Sequence, residues 1–377
     1  MKPSSETTTT PSAGVPATDP HKVPALFPTT VVGSMPRPQM LKDVFDGVHA
    51  GTVTPAQQDR WLDAAVPYAI ALQEAAGVDI VSDGEWRRFS YVAVICDIAS
   101  GFTRQLSGSG QDGKYWHTVT EPLRLTDAQG LAEDAQFAMR HARRPIKVAL
   151  PSPYLLSVRM WDEKLSAAAY PTRRDFARAL VPILRAQVTA LRDAGVHTVQ
   201  LDDPHLCLFV DPTVRAKFDD ADAEAMHCVE LINEVIDGID GVTTAVHLCR
   251  RNKGRKGWVG EGSYDAILEP LRALHADALM MEFTIPAAGD TRCLRDLPER
   301  VRIGLGCVDC RAEVIDSPDV IVDRVELALA HVAKERIVLV PDCGFAPGNA
   351  ADIPVDEAYA KLKSMAAAAQ TLRERHG

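Results

Sequence analysis

Short runs of β-branched and other apolar residues recur along the chain, each apolar at its start and polar at its end. They are TTVVGS (29–34), DIVSDGE (79–85), IKVALPSP (146–153), HTVQLDDP (197–204), TTAVHLCR (243–250), DALMMEF (277–283), VRIGLGCVD (301–309) and RIVLVPDCG (336–344). Between them lie stretches with apolar residues three and four apart, such as DRWLDAAVPYAIALQEAAG, RRDFARALVPILRAQVTALRDAG and DVIVDRVELALAHVAKE, two of which stop at a glycine, as helices commonly do. This alternation is the signature of repeated βα units and a parallel sheet. Eight such units predict an α/β fold, a (β/α)8 TIM barrel over residues 27–377. A doubly wound open sheet would use fewer parallel strands and start with a glycine-rich turn, and neither feature is seen.

Two stretches fall outside this rhythm. The second βα connection, residues 89–144, is far longer than the usual connection of about 2–6 residues. It predicts an insertion that carries Tyr115, Trp116 and His117 in a hairpin and closes over the barrel mouth. Residues 1–26 are rich in Ser, Thr and Pro, lack the apolar stretch of a signal peptide, and read as a disordered tail. A formal net charge of −10 argues against a nucleic-acid partner. No apolar run approaches the roughly 18 residues that span a bilayer, so no membrane partner is expected either. The 8 cysteines are scattered rather than dense, which fits a reducing cytoplasm in which thiols remain available to a metal. A homo-oligomer is compatible with all of this.

In a TIM barrel the carboxyl ends of the strands form one face, so the polar strand ends converge there. Those ends supply Ser34, Asp83, Glu85, Asp202, Asp203, His247, Cys249, Glu282, Asp309, Cys310, Asp342 and Cys343. His247 and Cys249 lie two apart on one strand and point to the same side. With Cys343 and Glu282 they make the mixed soft and borderline donor set that suits Zn²⁺. Exchanging Glu282 for a substrate thiolate would leave the charge at such a site unchanged, and the metal would depress the thiol pKa.

The segments TTVVGSMPRP, SDGEWRR, VQLDDP, HLCRRN, MMEF and VPDCG, in this order, resemble the motifs of cobalamin-independent methionine synthase. They are more similar still to its short single-barrel relatives, from about Phe27 to the C-terminus. The resemblance implies that His247, Cys249, Glu282 and Cys343 are zinc ligands, and that Ser34, Glu85 and Asp202 hold the carboxylate and amino group of homocysteine. Two carboxylates suit an ammonium, and a hydroxyl with nearby N–H groups suits a carboxylate. A plainer use of Glu85 and Asp202 is structural ion pairing with Arg87, Arg88 or Arg250. Asp203 is a weaker candidate, as a partner for a metal ligand or an arginine.

The chain also departs from the family. The tryptophan on which a folate would stack is replaced within LPSPYLL, around Pro153. Arg311, in VDCRAEV, stands where the synthase has a histidine, and an arginine is a poor acid or base but a good anion clamp. Arg311 is therefore a substrate-binding candidate, methyltetrahydrofolate is disfavoured as donor, and no general acid is assigned. The expected activity is zinc-dependent alkyl transfer to a small thiol, chiefly methyl transfer from another donor to homocysteine, giving methionine. Epoxide opening by coenzyme M, its sulfonate held by Arg250, Arg251 and Arg311, is the alternative. A zinc-free lyase of the uroporphyrinogen decarboxylase type is a third reading, which a metal assay separates. Cys307 and Cys310, a C-x-x-C, read as packing plus one rim residue.

Overall fold

The computed structural model describes residues 22–106, 115–346 and 353–377. Most of the expected tail, residues 1–21, lies outside the described residues, as does the tip of the expected hairpin. Strands β1 (Ala99–Leu106) and β2 (Tyr115–Leu125) form that antiparallel hairpin within the long second connection. Strands β3 (Lys147–Pro151), β4 (Thr198–Asp202), β5 (Thr243–Leu248), β6 (Ala278–Glu282), β7 (Arg302–Val308) and β8 (Ile337–Pro341) form one parallel sheet in chain order.

The first two apolar runs close this sheet into a ring through the bridges Thr29 to Leu339, Thr30 to Ile80 and Val81 to Ile146. They are short staves rather than full strands. Beyond Thr30 and Val81, side chains replace the ladder: Ser82 Oγ donates to Gly33 O at 2.7 Å and accepts from Gly84 N at 3.1 Å. The pleat then sorts the strand residues. Val199, Leu201, Val246, Leu248, Leu279 and Met281 join the large outer core, whereas Ala245, Ala278, Met280, Val338 and Val340 pack together as a separate cluster. Gly304 makes room for this cluster, since a Cβ there would lie 2.0 Å from Met280 Sδ.

Helix Pro55–Ala76 starts at a Thr54–Gln57 capping box and stops at Gly77 with φ 92°. Helix Arg173–Asp193 starts at a Thr172–Asp175 capping box, and Gly195 follows it with φ 87°. The sixth connection departs from the expected pattern. It carries the 3₁₀ turns Pro286–Ala288 and Thr291–Asp296, because Pro286, Gly289 and the capping Asp290 interrupt any longer helix. The added piece in the second connection is also shorter than expected. Helix Gly130–His141 packs against Pro55–Ala76 and Arg173–Asp193 and is a barrel helix in its own right. The last helix, Val355–His376, is tied back to the first stave by Arg373, which donates to Phe27 O at 2.8 Å and pairs with Asp79 at 2.6 Å. No helix among the described residues is long and apolar enough to cross a membrane.

Candidate active site

His247 and Cys249 stand at the end of β5, and Cys343 follows β8. One ligand atom from each lies within 4.8 Å of the others, and all three residues are buried. Cys249 Sγ and Cys343 Sγ are 3.3 Å apart. The Cys249 thiol is drawn below its ordinary pKa by its hydrogen bond with Cys343, while Cys343 is pushed well up by the same contact and by burial. His247 Nδ1 lies 3.2 Å from Asp202 Oδ1, and Nε2 is buried without a hydrogen-bond partner among the described residues. Two sulfurs and an unsatisfied imidazole nitrogen converging in a buried place fit a metal ion of borderline softness. The Asp202 contact fixes the ring as a carboxylate commonly does behind a metal-bound histidine.

Glu282, the fourth expected ligand, is not drawn into that group. It ends β6 fully buried, with Oε1 3.4 Å from both the Arg250 N–H and Arg311 Nη1. Its Oε2 has no hydrogen-bond partner among the described residues, an expensive state for a buried carboxylate oxygen. Arg311 is likewise not brought to a substrate surface. It is 4% exposed, pairs with Asp342 and Asp309 as well as Glu282, and does not line the cavity above the cysteines. The sequence assigns it to an anion from outside, whereas three neighbouring carboxylates already surround it. Arg250 is also buried, donating to Ala288 O and lying over the Tyr264 ring.

That cavity holds about 380 Å³. Ser34, Glu85, Asp202, His247, Cys249 and Cys343 share its wall. Glu85 sits at φ 57°, a costly conformation held by Asp83, which accepts from its N–H at 2.9 Å, and by Arg37, which donates to its carbonyl at 2.8 Å. Burial pushes the Glu85 carboxyl up to about 7, and the nearby Asp202 adds to the rise. Beneath it Lys147 donates to Val31 O at 2.7 Å; burial lowers this lysine to about 7 against the pull of Asp202 and Glu85. Asp202 Oδ1 also accepts from Gln200 Nε2 at 2.6 Å. Ser34 Oγ accepts from Ala346 N at 3.3 Å.

Several expectations change on this geometry. The carboxylate behind His247 is Asp202; Asp203 instead caps helix Pro204–Leu208, accepting from Leu206 N and Ser152 Oγ. Among the described residues no ion pair joins Glu85 or Asp202 to Arg87, Arg88 or Arg250. Arg87 pairs with Asp63 and Asp134, and Arg88 donates to Ala149 O. Cys310 is buried rather than at a rim and accepts from Asn252 Nδ2 at 3.2 Å. Residues 89–93 and His117, from the long connection, line the cavity, as do Arg159, Arg251 and Asn252. Tyr91 and Arg159 sit in no recognisable motif. The only signal that could have found Tyr91 was the length of its connection.

A family model described as cobalamin-independent synthase, catalytic domain, matches residues 27–371. The methionine synthase of Sulfurisphaera tokodaii is 24% identical over 352 residues, covering 93% of this chain and 93% of that protein. The 5-methyltetrahydropteroyltriglutamate–homocysteine methyltransferase of a Synechococcus species is 25% identical over 92% of this chain, which spans only 43% of that longer protein. A solved B12-independent methionine synthase from a Shewanella species, in complex with selenomethionine, superposes with a TM-score of 0.75 at 22% identity. The match covers 93% of this chain and 98% of that one, a likeness of fold.

Proposed function

The chain belongs to the cobalamin-independent methionine synthase catalytic-domain family, and from that premise we propose that it transfers a methyl group to homocysteine with a zinc ion held by His247, Cys249, Cys343 and Glu282. The observation that carries this reading is the meeting of His247, Cys249 and Cys343 on the wall that Glu85 and Asp202 also face. Bound there, the metal would lower the pKa of the substrate thiol, so that its sulfur is a nucleophile near neutral pH.

The chain's own groups do the rest. Glu85 and Asp202 receive the ammonium of the amino acid, and the Ser34 hydroxyl its carboxylate. Asp202 also keeps the proton on Nδ1 of His247, which leaves Nε2 as a donor atom. Residues 89–93 and His117 wall the cavity against water, which would compete for a reactive methyl group. The thiol proton leaves on binding. The sulfur then forms its bond to the methyl carbon as the carbon–donor bond breaks, and that electron pair departs with the donor. The donor we infer is not a pterin stacked above β3: Tyr154, the aromatic of LPSPYLL, is buried and donates to Glu224 at 2.8 Å.

A second reading has support in Arg159 and Arg251, which line the same cavity and suit the sulfonate of coenzyme M. Calorimetry of each thiol with the zinc-loaded protein separates the two. Homocysteine should bind with release of a proton, about tenfold or more weaker in Asp202→Asn when zinc is kept saturating, since Asp202 also orients His247. Tight binding of coenzyme M, indifferent to Asp202→Asn and lost in Arg251→Ala, would replace the methionine reading with the epoxide reaction.

A further inference from the structure

Arg311 is held more firmly than the Glu282 contact requires. Its guanidinium is clamped to Asp342 and lies 3.3 Å, through Nε, from Asp309. Asp342 in turn accepts from the backbone N–H groups of Phe283 at 3.1 Å and Thr284 at 3.3 Å. The same carboxylate therefore fixes the guanidinium and the strand end that carries Glu282, and it is the chain neighbour of Cys343. The Arg311–Glu282 pair, at 3.4 Å, is the loose side of this frame, and Glu282 Oε2 has no hydrogen-bond partner among the described residues.

We propose that Arg311 is a positioning residue whose guanidinium accepts the Glu282 carboxylate whenever a substrate thiol takes that carboxylate's place at the metal. This rests on the thiol chemistry proposed above. In the exchange the thiol gives its proton to solvent and enters as an anion while Glu282 withdraws as an anion, so the charge around the metal is conserved. A carboxylate released into a fully buried pocket would cost too much to leave unless a cation met it there. Arg311 meets that need at any working pH because its guanidinium does not lose its proton. The short reach between the two also keeps Glu282 close enough to return when product departs. The frame makes Arg311 a fixed berth, so the affinity for thiol is set partly by a residue that touches neither thiol nor donor.

The test uses the full-length zinc-loaded protein, with homocysteine as the probe. Affinity is read by calorimetry, zinc affinity by competition with a chromophoric chelator, and the ligands of zinc by X-ray absorption. Arg311→Met should weaken homocysteine binding by about tenfold, and zinc should be held as tightly as before or more tightly, since Glu282 then has no alternative to the metal. Arg311→Lys keeps the cation that Asp342 needs but not the fork that spans both carboxylates, and should weaken binding by about threefold. In a Glu282→Gln background neither change should matter, because a neutral amide needs no counter-ion. If Arg311→Met does not fold, the Lys variant in the two backgrounds decides. Equal losses with and without Glu282, or no loss in either, would overturn the role of Arg311. An unchanged sulfur count in the wild-type X-ray absorption on adding homocysteine would instead remove the thiol chemistry itself, and this role with it.

Discussion

On one wall of the barrel mouth Glu85 and Asp202 face an open cavity; on the other Glu282 and Asp342 face Arg311. Both walls are built from buried carboxylates at strand ends, yet they differ in ion pairing. The open wall has no arginine ion-paired to its acids among the described residues, though Arg88 and Arg37 act against the burial that raises Glu85 to about 7, just as burial raises Asp342 on the closed wall. The closed wall answers its acids with a guanidinium, and one oxygen of Glu282 has no hydrogen-bond partner among the described residues. Acids left for a ligand to neutralise suit recognition of a cation, and acids already neutralised suit the support of a metal ligand. The two cysteines lie where these walls meet.

The hardest way to break this comparison is to remove the junction. Cys249→Ser and Cys343→Ser should each cost more than about a thousandfold in turnover and most of the bound zinc, because the remaining donors no longer balance a divalent ion. Elemental analysis of the purified variants checks it. Full zinc in both would mean that the walls do not meet at a metal.

Next in size is a single methyl group on the closed wall. A Cβ at Gly306 would lie 2.4 Å from Asp342 Oδ1 and 2.6 Å from Met281 O, the second a backbone atom that cannot swing aside. Gly306→Ala should destabilise the fold by about 1–3 kcal/mol or more in chemical denaturation. It should also loosen zinc, because Asp342 adjoins the proposed ligand Cys343. Stability within a few tenths of a kcal/mol of wild type would show the closed wall to be soft.

Much of this arrangement was legible in the sequence, and the omissions have physical reasons. The polar strand ends told which face is the mouth, and the two-residue period put His247 and Cys249 on one side. The same period turns Asp202 inward with Gln200 and sends Asp203 out to cap the next helix. The partners of Arg311 were not legible, since an arginine at a strand end shows its charge but not whether carboxylates from two other strands already meet it beside its own neighbour Asp309. Nor could the ring closure at residues 29–34 and 79–85 be read as short staves, because Ser82 replaces ladder hydrogen bonds by contacts across 49 residues of chain. The family resemblance and the matched model agree over nearly the same span, from Phe27 onward.

A pH titration probes the open wall with a smaller effect. Glu85 titrates at about 7 because burial and Asp202 oppose its charge, so it is largely neutral below that pH. An ammonium needs the carboxylate, and the thiol must lose its own proton on binding. The slope of log affinity against pH for homocysteine should therefore approach about 2 below pH 7 and fall to about 1 above it. Glu85→Gln should bind several-fold more weakly at pH 8 and give a slope of about 1 throughout. Lys147, lowered to about 7 beneath the acids, titrates in the same window, so the Gln variant is needed to assign the break. Stability has the opposite sign. The folded carboxyl binds its proton more tightly than the unfolded one at 4.5, so stability from this group is present below 4.5 and lost as pH rises toward 7, by about 3 kcal/mol at most. A slope of 1 in the wild type would mean that Glu85 does not meet the ammonium.

The smallest effect expected is that of the same methyl group on the open wall, and for that reason it sharpens the comparison most. A Cβ at Gly33 would lie 2.3 Å from Glu85 Oε1 and 3.4 Å from the Ala149 methyl. Unlike the neighbours of Gly306, the obstructing atom is the end of a side chain that borders a cavity and has somewhere to go. Gly33 lies outside the positive-φ residues, so alanine brings no backbone penalty of that kind. Gly33→Ala should therefore leave zinc content unchanged and cost less than about 1 kcal/mol of stability. The displaced carboxylate no longer meets the ammonium where Asp202 does, so homocysteine binding should weaken about threefold to tenfold. A thiol without an ammonium, such as mercaptoethanol, should bind Gly33→Ala and wild type alike, because only the open wall has moved. Loss of zinc in Gly33→Ala, or equal weakening for both thiols, would show that the two walls are mechanically one and that the difference in their surroundings does not divide their work.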